Sequence, residues 1–397
     1  MSTYFDALET RSRDAREAAQ LEALNAQMER HGQAPLDDLS GLAALPVLRK
    51  AELSERQAAQ PPFGGLPVQN LAHVFQSPGP IYEPGGTGHD WWRMGRFLNA
   101  CGIGQGDIVQ NCFGYHLTPA GMIFENGARA VGAAVLPAGT GQTELQARAA
   151  HDVSVTAYAG TPDYLKVILE KADEMGLTLA ITRAAVGGGA LFPSLRQYYA
   201  DRGIACLQCY ATADLGNIAY EAPPPGFPEA LPEGMILDEH VIVEIVTPGT
   251  GDPVAPGEVG EIVVTTLNPD YPLIRFATGD LSALLPGESP CGRTNARIKG
   301  WMGRADQTTK IKGMFVRPEQ VAQLVSRHDE VARARVVATR QGEADVMTVR
   351  LETAAEDPAR YEGTVREVLK LKGEIELVPI GGLPRDGLVI EDARRYD

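Results

Sequence analysis

A chain of 397 residues is longer than one hydrophobic core usually serves, so two or more structural units are expected. It is 44 % hydrophobic and 22 % charged, ordinary for a globular protein, and its formal net charge of −15 argues against a nucleic-acid partner. No apolar run approaches the roughly 18–20 residues that span a bilayer, and the charged start from Met1 to Arg30 lacks the apolar centre of a secretory signal. A cytoplasmic protein without a membrane partner is expected.

Residues 3–30 read as one amphipathic helix rich in Ala, Leu, Glu and Arg, with Pro35 as a stop beyond it. A Pro/Gly-rich stretch from Gln60 to Leu66 leads into a first core segment, Val68 to Phe75. Helical and β-prone segments then alternate. Asp90–Cys101, Ala120–Val131, Leu145–Asp152, Pro162–Met175 and Pro193–Asp201 read as helices. Asp107–Phe113, Ala134–Pro137, Thr156–Tyr158, Ala180–Val186 and Ile204–Tyr210 read as strands. This order is the sequence form of βαβ units and a largely parallel sheet. After Glu221 the character changes. Ile236–Asp238, Val241–Val246, Gly260–Thr266 and Leu281–Leu285 are short β segments broken by Pro and Gly, which predicts an antiparallel β-rich subdomain. Beyond Asp306 a helix (Pro318–Arg327), two strands (Ala332–Arg340, Asp345–Thr353), a helix (Pro358–Lys370) and a strand (Glu374–Pro379) predict a small α+β unit.

The five cysteines do not form a disulfide framework, and Cys206-Leu207-Gln208-Cys209 sits in an apolar run with no second Cys/His pair nearby. Structural cysteines are the better reading, and the seven histidines show no metal-ligand spacing.

Two segments carry the chemistry. Phe276-Ala277-Thr278-Gly279-Asp280-Leu281 precedes Gly303-Arg304-Ala305-Asp306-Gln307-Thr308-Thr309-Lys310-Ile311-Lys312-Gly313. With Tyr210 to Gly216, Gly139 to Gln146, Gly257 to Thr266, Pro272 to Arg275 and Cys291 to Thr294, they resemble the phenylacetate–CoA ligase family of adenylate-forming enzymes over nearly the whole chain. The resemblance implies an α/β protein. A large N-terminal domain (1–305) would carry parallel α/β sheets and a β-rich subdomain, followed by a small mobile α+β domain (306–397). It implies that an aryl or arylacetic acid is activated with ATP as an acyl-adenylate and passed to CoA, with Mg²⁺ and AMP involved. A homodimer is the expected assembly.

The same resemblance assigns roles. Gly187, Gly188, Gly189 and Ala190 would line the adenine and acyl pockets, where missing side chains let a ligand approach the backbone. Tyr210 would stack on adenine, or else be a half-buried aromatic. Asp214 stands at the position of the family's Mg²⁺-binding Glu, and Thr212 would add a phosphate contact. Asp280 would accept from both ribose hydroxyls, and Arg304 would donate to ribose or phosphate. Asp306 is the hinge position, and Lys310 and Lys312 are either turned toward the nucleotide or CoA or simply solvated. Tyr115, His116, Phe124, Ala138 and Gly139 lie on the segments that line the acyl pocket, with His116 in place of a common Gly.

Two departures stand out. The family's phosphate loop ends in Gly-Lys-Pro, whereas Gln76-Ser77-Pro78-Gly79-Pro80-Ile81-Tyr82-Glu83-Pro84 has prolines where donors are wanted and no lysine. The family's C-terminal catalytic Lys is matched by Leu388, which cannot stabilise charge developing during adenylation. A Cys/His cluster of some relatives is also thinned, with Pro290 beside Cys291 and Met235 where a His is common. The expected activity is therefore an aryl-acid–CoA ligase impaired in adenylation. The alternatives are a non-catalytic nucleotide or acyl-CoA binding protein on the same scaffold, or a ligase with a different acceptor.

Overall fold

The computed structural model describes residues 3–302, 305, 309–316, 318–342, 344–384 and 388–394. The chain divides into two compact units, Met1–Met302 and Gly303–Asp397.

The first unit opens with a short 3-10 turn, Ala7–Thr10, and helix α1 (Arg13–Arg30). The single helix expected over residues 3–30 is broken because Ser12 takes extended backbone and caps α1, its Oγ accepting from the Ala15 amide. Strand β1 (Leu48–Arg49) runs directly into α2 (Lys50–Ala59). Strands β2 (Leu71–Ser77) and β3 (Ile81–Gly86) then form an antiparallel hairpin turning at Pro78–Pro80. The first four residues of β2 are exposed, so the segment read as core is a surface hairpin that turns inward only at Phe75 and Ser77.

The alternating region follows as α3 (Gly95–Ala100), β4 (Ile108–Asn111), α4 (Ala120–Ala130), β5 (Ala134–Pro137), α5 (Thr143–Asp152), β6 (Ala157–Gly160), α6 (Pro162–Glu174), β7 (Arg183–Val186), α7 (Pro193–Asp201) and β8 (Ala205–Thr212). Helix α3 is shorter than expected because Asp90 and Arg93 take positive φ and the Asp90 carboxylate accepts from the Gly95 amide, starting the helix late. The chain returns through β9 (Gly216–Tyr220), β10 (Met235–Leu237), β11 (Val241–Val246), β12 (Gly260–Thr266), β13 (Phe276–Ser282), β14 (Leu284–Leu285) and β15 (Arg297–Ile298).

These strands form a nine-stranded sheet in the order β14-β15-β10-β9-β8-β7-β6-β4-β5, parallel from β8 to β5 and antiparallel on the other side. Both faces are covered, so successive residues bury to opposite sides. Tyr158 and Ala184 pack with Leu165, Ile168 and Tyr199 of α6 and α7, while Ala157, Ala159 and Ala185 pack with Phe97 and Phe124 of α3 and α4. A second sheet has the order β1-β13-β12-β11. The segment around Ile236 joins the large sheet through β9 rather than the β-rich one, because Ile236 pairs with Tyr220.

Buried ion pairs fasten the N-terminal segment to residues far along the chain. Glu9 accepts from Arg293 Nε at 2.5 Å and from the Tyr220 hydroxyl at 2.8 Å, and Arg16 bonds Glu239. All five side chains are almost fully buried.

In the second unit, hairpin β16 (Thr309–Ile311) and β17 (Met314–Val316) is followed by α8 (Pro318–Ser326), β18 (Val331–Gln341), β19 (Ala344–Thr353), α9 (Glu362–Leu369), β20 (Glu374–Val378) and β21 (Ile390–Asp392). Its sheet has the order β20-β19-β18-β21, and Val321, Leu324, Val349, Tyr361 and Leu369 form its core.

Candidate active site

In an open parallel sheet, crevices for ligands form beyond the carboxyl ends of the strands. Most of the residues singled out in the first unit lie there. Tyr115 and His116 follow β4, Ala138 and Gly139 follow β5, Gly187 to Ala190 follow β7, Tyr210 and Thr212 end β8, and Asp214 lies just past it. Backbone bonds hold these ends together, from the Gly139 amide to the Asn111 carbonyl and from the Gly187 amide to the Gly160 carbonyl.

The Gly turn packs against aromatic rings. Phe113 and Phe124 stack with centroids 4.3 Å apart. A Cβ added to Gly187 would lie 3.6 Å from the Phe124 ring, and one added to Gly188 would lie 3.7 Å from Phe113. Gly188 has φ of +69°, a conformation that disfavours any other residue there. Gln208 braces the turn, donating to the Gly189 carbonyl and accepting from the Leu191 amide. Tyr115 accepts from Asn111 Nδ2 at 2.8 Å, and burial, with Glu125 second, pushes its phenol up. His116 is exposed. Gln146 holds the strand ends from below by donating to the carbonyls of Ala138, Gly139 and Gly141.

Asp280, on β13, meets Tyr210 across the two sheets. The Tyr210 hydroxyl donates to Asp280 Oδ2 at 2.8 Å and the Trp301 indole donates to Oδ1 at 3.0 Å. Thr278 turns the strand beneath it, accepting from the Asp280 amide and donating to the Ile262 carbonyl. The Tyr210 hydroxyl therefore orients a carboxylate.

Between β1, β3 and the end of β8 lies a cluster that sequence reasoning missed. Arg275 donates to the carbonyls of Ala43 and Leu45, and β1 pairs with β13 in register Arg49 to Ala277. Lys50 is thereby delivered alongside Thr278. Its Nζ lies 2.7 Å from Asp214 Oδ2, and Asp214 is buried. Glu83, buried on β3, accepts from Ser77 Oγ. Burial first, and the Asp214 charge second, raise the Glu83 carboxyl to about 8, so it keeps its proton at neutral pH. Among the described residues, Glu83 Oε2, Asp214 Oδ1 and the Tyr271 hydroxyl are buried without a hydrogen-bond partner. The only sequence signal here was the absence of a lysine from the hairpin.

Asp214 was expected to hold Mg²⁺. Its carboxylate is engaged by an ammonium, and no group of three or more His, Cys, Asp or Glu among the described residues is arranged to hold a metal. Cys206 and Cys209 are buried, and burial raises both thiols, as suits structural cysteines. Arg304 and Asp306 lie outside the described residues. Leu388 is exposed, two residues before β21, and Lys310 and Lys312 lie on the β16–β17 hairpin.

Residues 107–268 match the family model described as AMP-binding enzyme. The phenylacetate–coenzyme A ligase of Aromatoleum evansii is 30 % identical over 355 residues, covering 84 % of this chain and 78 % of that one. The chain belongs to the phenylacetate–CoA ligase family. The phenylacetate–coenzyme A ligase of Escherichia coli K12 is 29 % identical over 88 % of this member and 85 % of its own length. A solved 2-hydroxyisobutyryl-CoA ligase, in complex with 2-HIB-AMP and CoA, matches with TM-score 0.76 at 24 % identity, over 100 % of this chain and 93 % of that one. The two chains share one fold.

Proposed function

We propose that this acid–thiol ligase activates an aromatic carboxylic acid with ATP and transfers the acyl group to CoA. The observation that carries the reading is the Tyr210–Asp280–Trp301 constellation at the mouth of the parallel sheet. Two donors orient the two Asp280 oxygens, and a carboxylate held in this way is suited to accept from the vicinal hydroxyls of a ribose. Gly187 to Ala190 offer bare backbone to the base. The Phe113–Phe124 stack behind them supports a flat acyl group, because a planar ring lies against aromatic faces with little lost conformational freedom.

In the first half-reaction a carboxylate oxygen attacks the α-phosphorus and pyrophosphate leaves. In the second, the CoA sulfur attacks the acyl carbon, the thiol proton is lost and AMP departs. Magnesium accompanies ATP as a counter-ion of its phosphates. Leu388 supplies no charge to the first step, and we propose that adenylation is slow for this reason. Release of AMP and formation of acyl-CoA, measured with phenylacetate, benzoate and a short aliphatic acid, test the reading. Aromatic acids are expected to be preferred. Turnover of the aliphatic acid alone would sink the aromatic assignment. Binding of an aryl-CoA without any binding of ATP would favour a non-catalytic acyl-CoA binding protein.

A further inference from the structure

We propose that Asn111 is the positioning residue of the acyl pocket, its carboxamide and carbonyl holding three wall segments in register and so deciding which aromatic acid fits. This rests on the aromatic-acid reading, in which the acyl group lies against Phe113 and Phe124.

Asn111 is the last residue of β4, flanked by Pro137 of β5 and Ala159 of β6, and it is 1 % exposed. Its side chain and its carbonyl are committed to the pocket walls. Nδ2 donates to the Tyr115 hydroxyl and to the Gly121 carbonyl, both at 2.8 Å. Oδ1 accepts from the Phe113 amide at 3.2 Å, and the backbone carbonyl accepts from the Gly139 amide at 3.0 Å. The partners settle which way the carboxamide faces, because the Phe113 amide can only donate and the Gly121 carbonyl can only accept.

Each bond sets a different wall. The bonds to Phe113 and Tyr115 fold the segment after β4 back over the strand end. The Gly121 bond seats the first turn of α4, where a Cβ on residue 121 would come 2.8 Å from the Tyr115 ring and from the Gly114 carbonyl oxygen. Phe124 stands about one turn further along that helix, so anchoring Gly121 holds its ring against Phe113. The Gly139 bond brings the loop after β5 against the same residue. Asp at this position would keep the acceptor and lose both donors, and Gln would displace the amide by a methylene. One methylene in an apolar pocket is worth about 10- to 200-fold in discrimination, and walls free to shift forfeit part of it.

Steady-state turnover of benzoate, phenylacetate and 3-phenylpropanoate, which grow by one methylene each, tests this on the full chain. The parent is expected to separate its best acid from the next by about tenfold or more in kcat/KM. N111D is expected to raise KM for that acid about 10- to 100-fold, leave KM for ATP within about twofold, and narrow the separation to about threefold. Y115F removes only the acceptor on the half-buried ring and should narrow the separation in the same direction, by about two- to fivefold. A loss by N111D that is equal for all three acids, or a KM for ATP that rises in step with that for the acid, signals general structural damage and overturns the assignment. A parent that separates the acids by less than about threefold, or Y115F with the separation unchanged, also overturns it. Calorimetric titration with AMP reports whether N111D is folded; loss of that binding would make Asn111 a support of the whole unit and overturns the pocket role. A parent that turns over none of the three acids overturns the aromatic-acid reading itself, which the other outcomes leave standing.

Discussion

The protonated Glu83 offers the sharpest test of the electrostatics. Burial raises its carboxyl from 4.5 to about 8. Between those values the folded chain holds a proton that the unfolded chain has released, so stability falls with rising pH. The contribution is full below about 4.5, declines through the window and is gone above about 8. At about 1.36 kcal/mol per pH unit, this rise amounts to roughly 4–5 kcal/mol. About 3–5 kcal/mol is the expected size. E83Q keeps the shape and the oxygen that accepts from Ser77, yet cannot ionise. Urea unfolding of parent and E83Q should therefore agree within about 1 kcal/mol at pH 5. By pH 8.5 the variant should be more stable by the expected 3–5 kcal/mol. A difference that stays constant from pH 5 to 9 would refute the claim that Glu83 is buried and protonated.

Other substitutions probe other parts of the molecule. L388K adds a cation at an exposed position, so stability should move by less than about 0.5 kcal/mol while the rate of AMP release rises by roughly 10²–10⁴. D280N removes the charge on which Tyr210 and Trp301 converge; it should cost about 1–3 kcal/mol in urea unfolding and weaken nucleotide binding measured by calorimetry. E9A leaves Arg293 buried without its partner, and unfolding should register a loss of about 3–5 kcal/mol.

The parallel half of the fold was legible because helices and short apolar strands alternate at lengths that only βαβ units accommodate, and the β4–β8 region follows that pattern. The sequence singled out Asp280 and Tyr210 individually, but their direct bond was not legible, since 70 residues separate them. Val68–Phe75 misled because its apolar composition matches a core strand, whereas an edge hairpin exposes Leu71 and Val74. Asp90–Cys101 was overextended because positive φ at Asp90 and Arg93 leaves no mark in hydrophobic periodicity. Lys50 escaped notice for a simple reason. Its partner is 164 residues away, and a single lysine at a helix start is common on any surface.

The ion pairs that fasten the first thirty residues have a consequence for biogenesis. Glu9 waits for Arg293 and Arg16 for Glu239, so the start of the chain cannot be locked until almost the whole first unit has been translated. At about 5–20 residues per second, some 15–60 s elapse between the ribosome making the acid and making its base. During that interval α1 and its neighbours are loosely tethered and open to chaperones. The docking of the amino terminus is thus expected to be a late event in acquiring the native state.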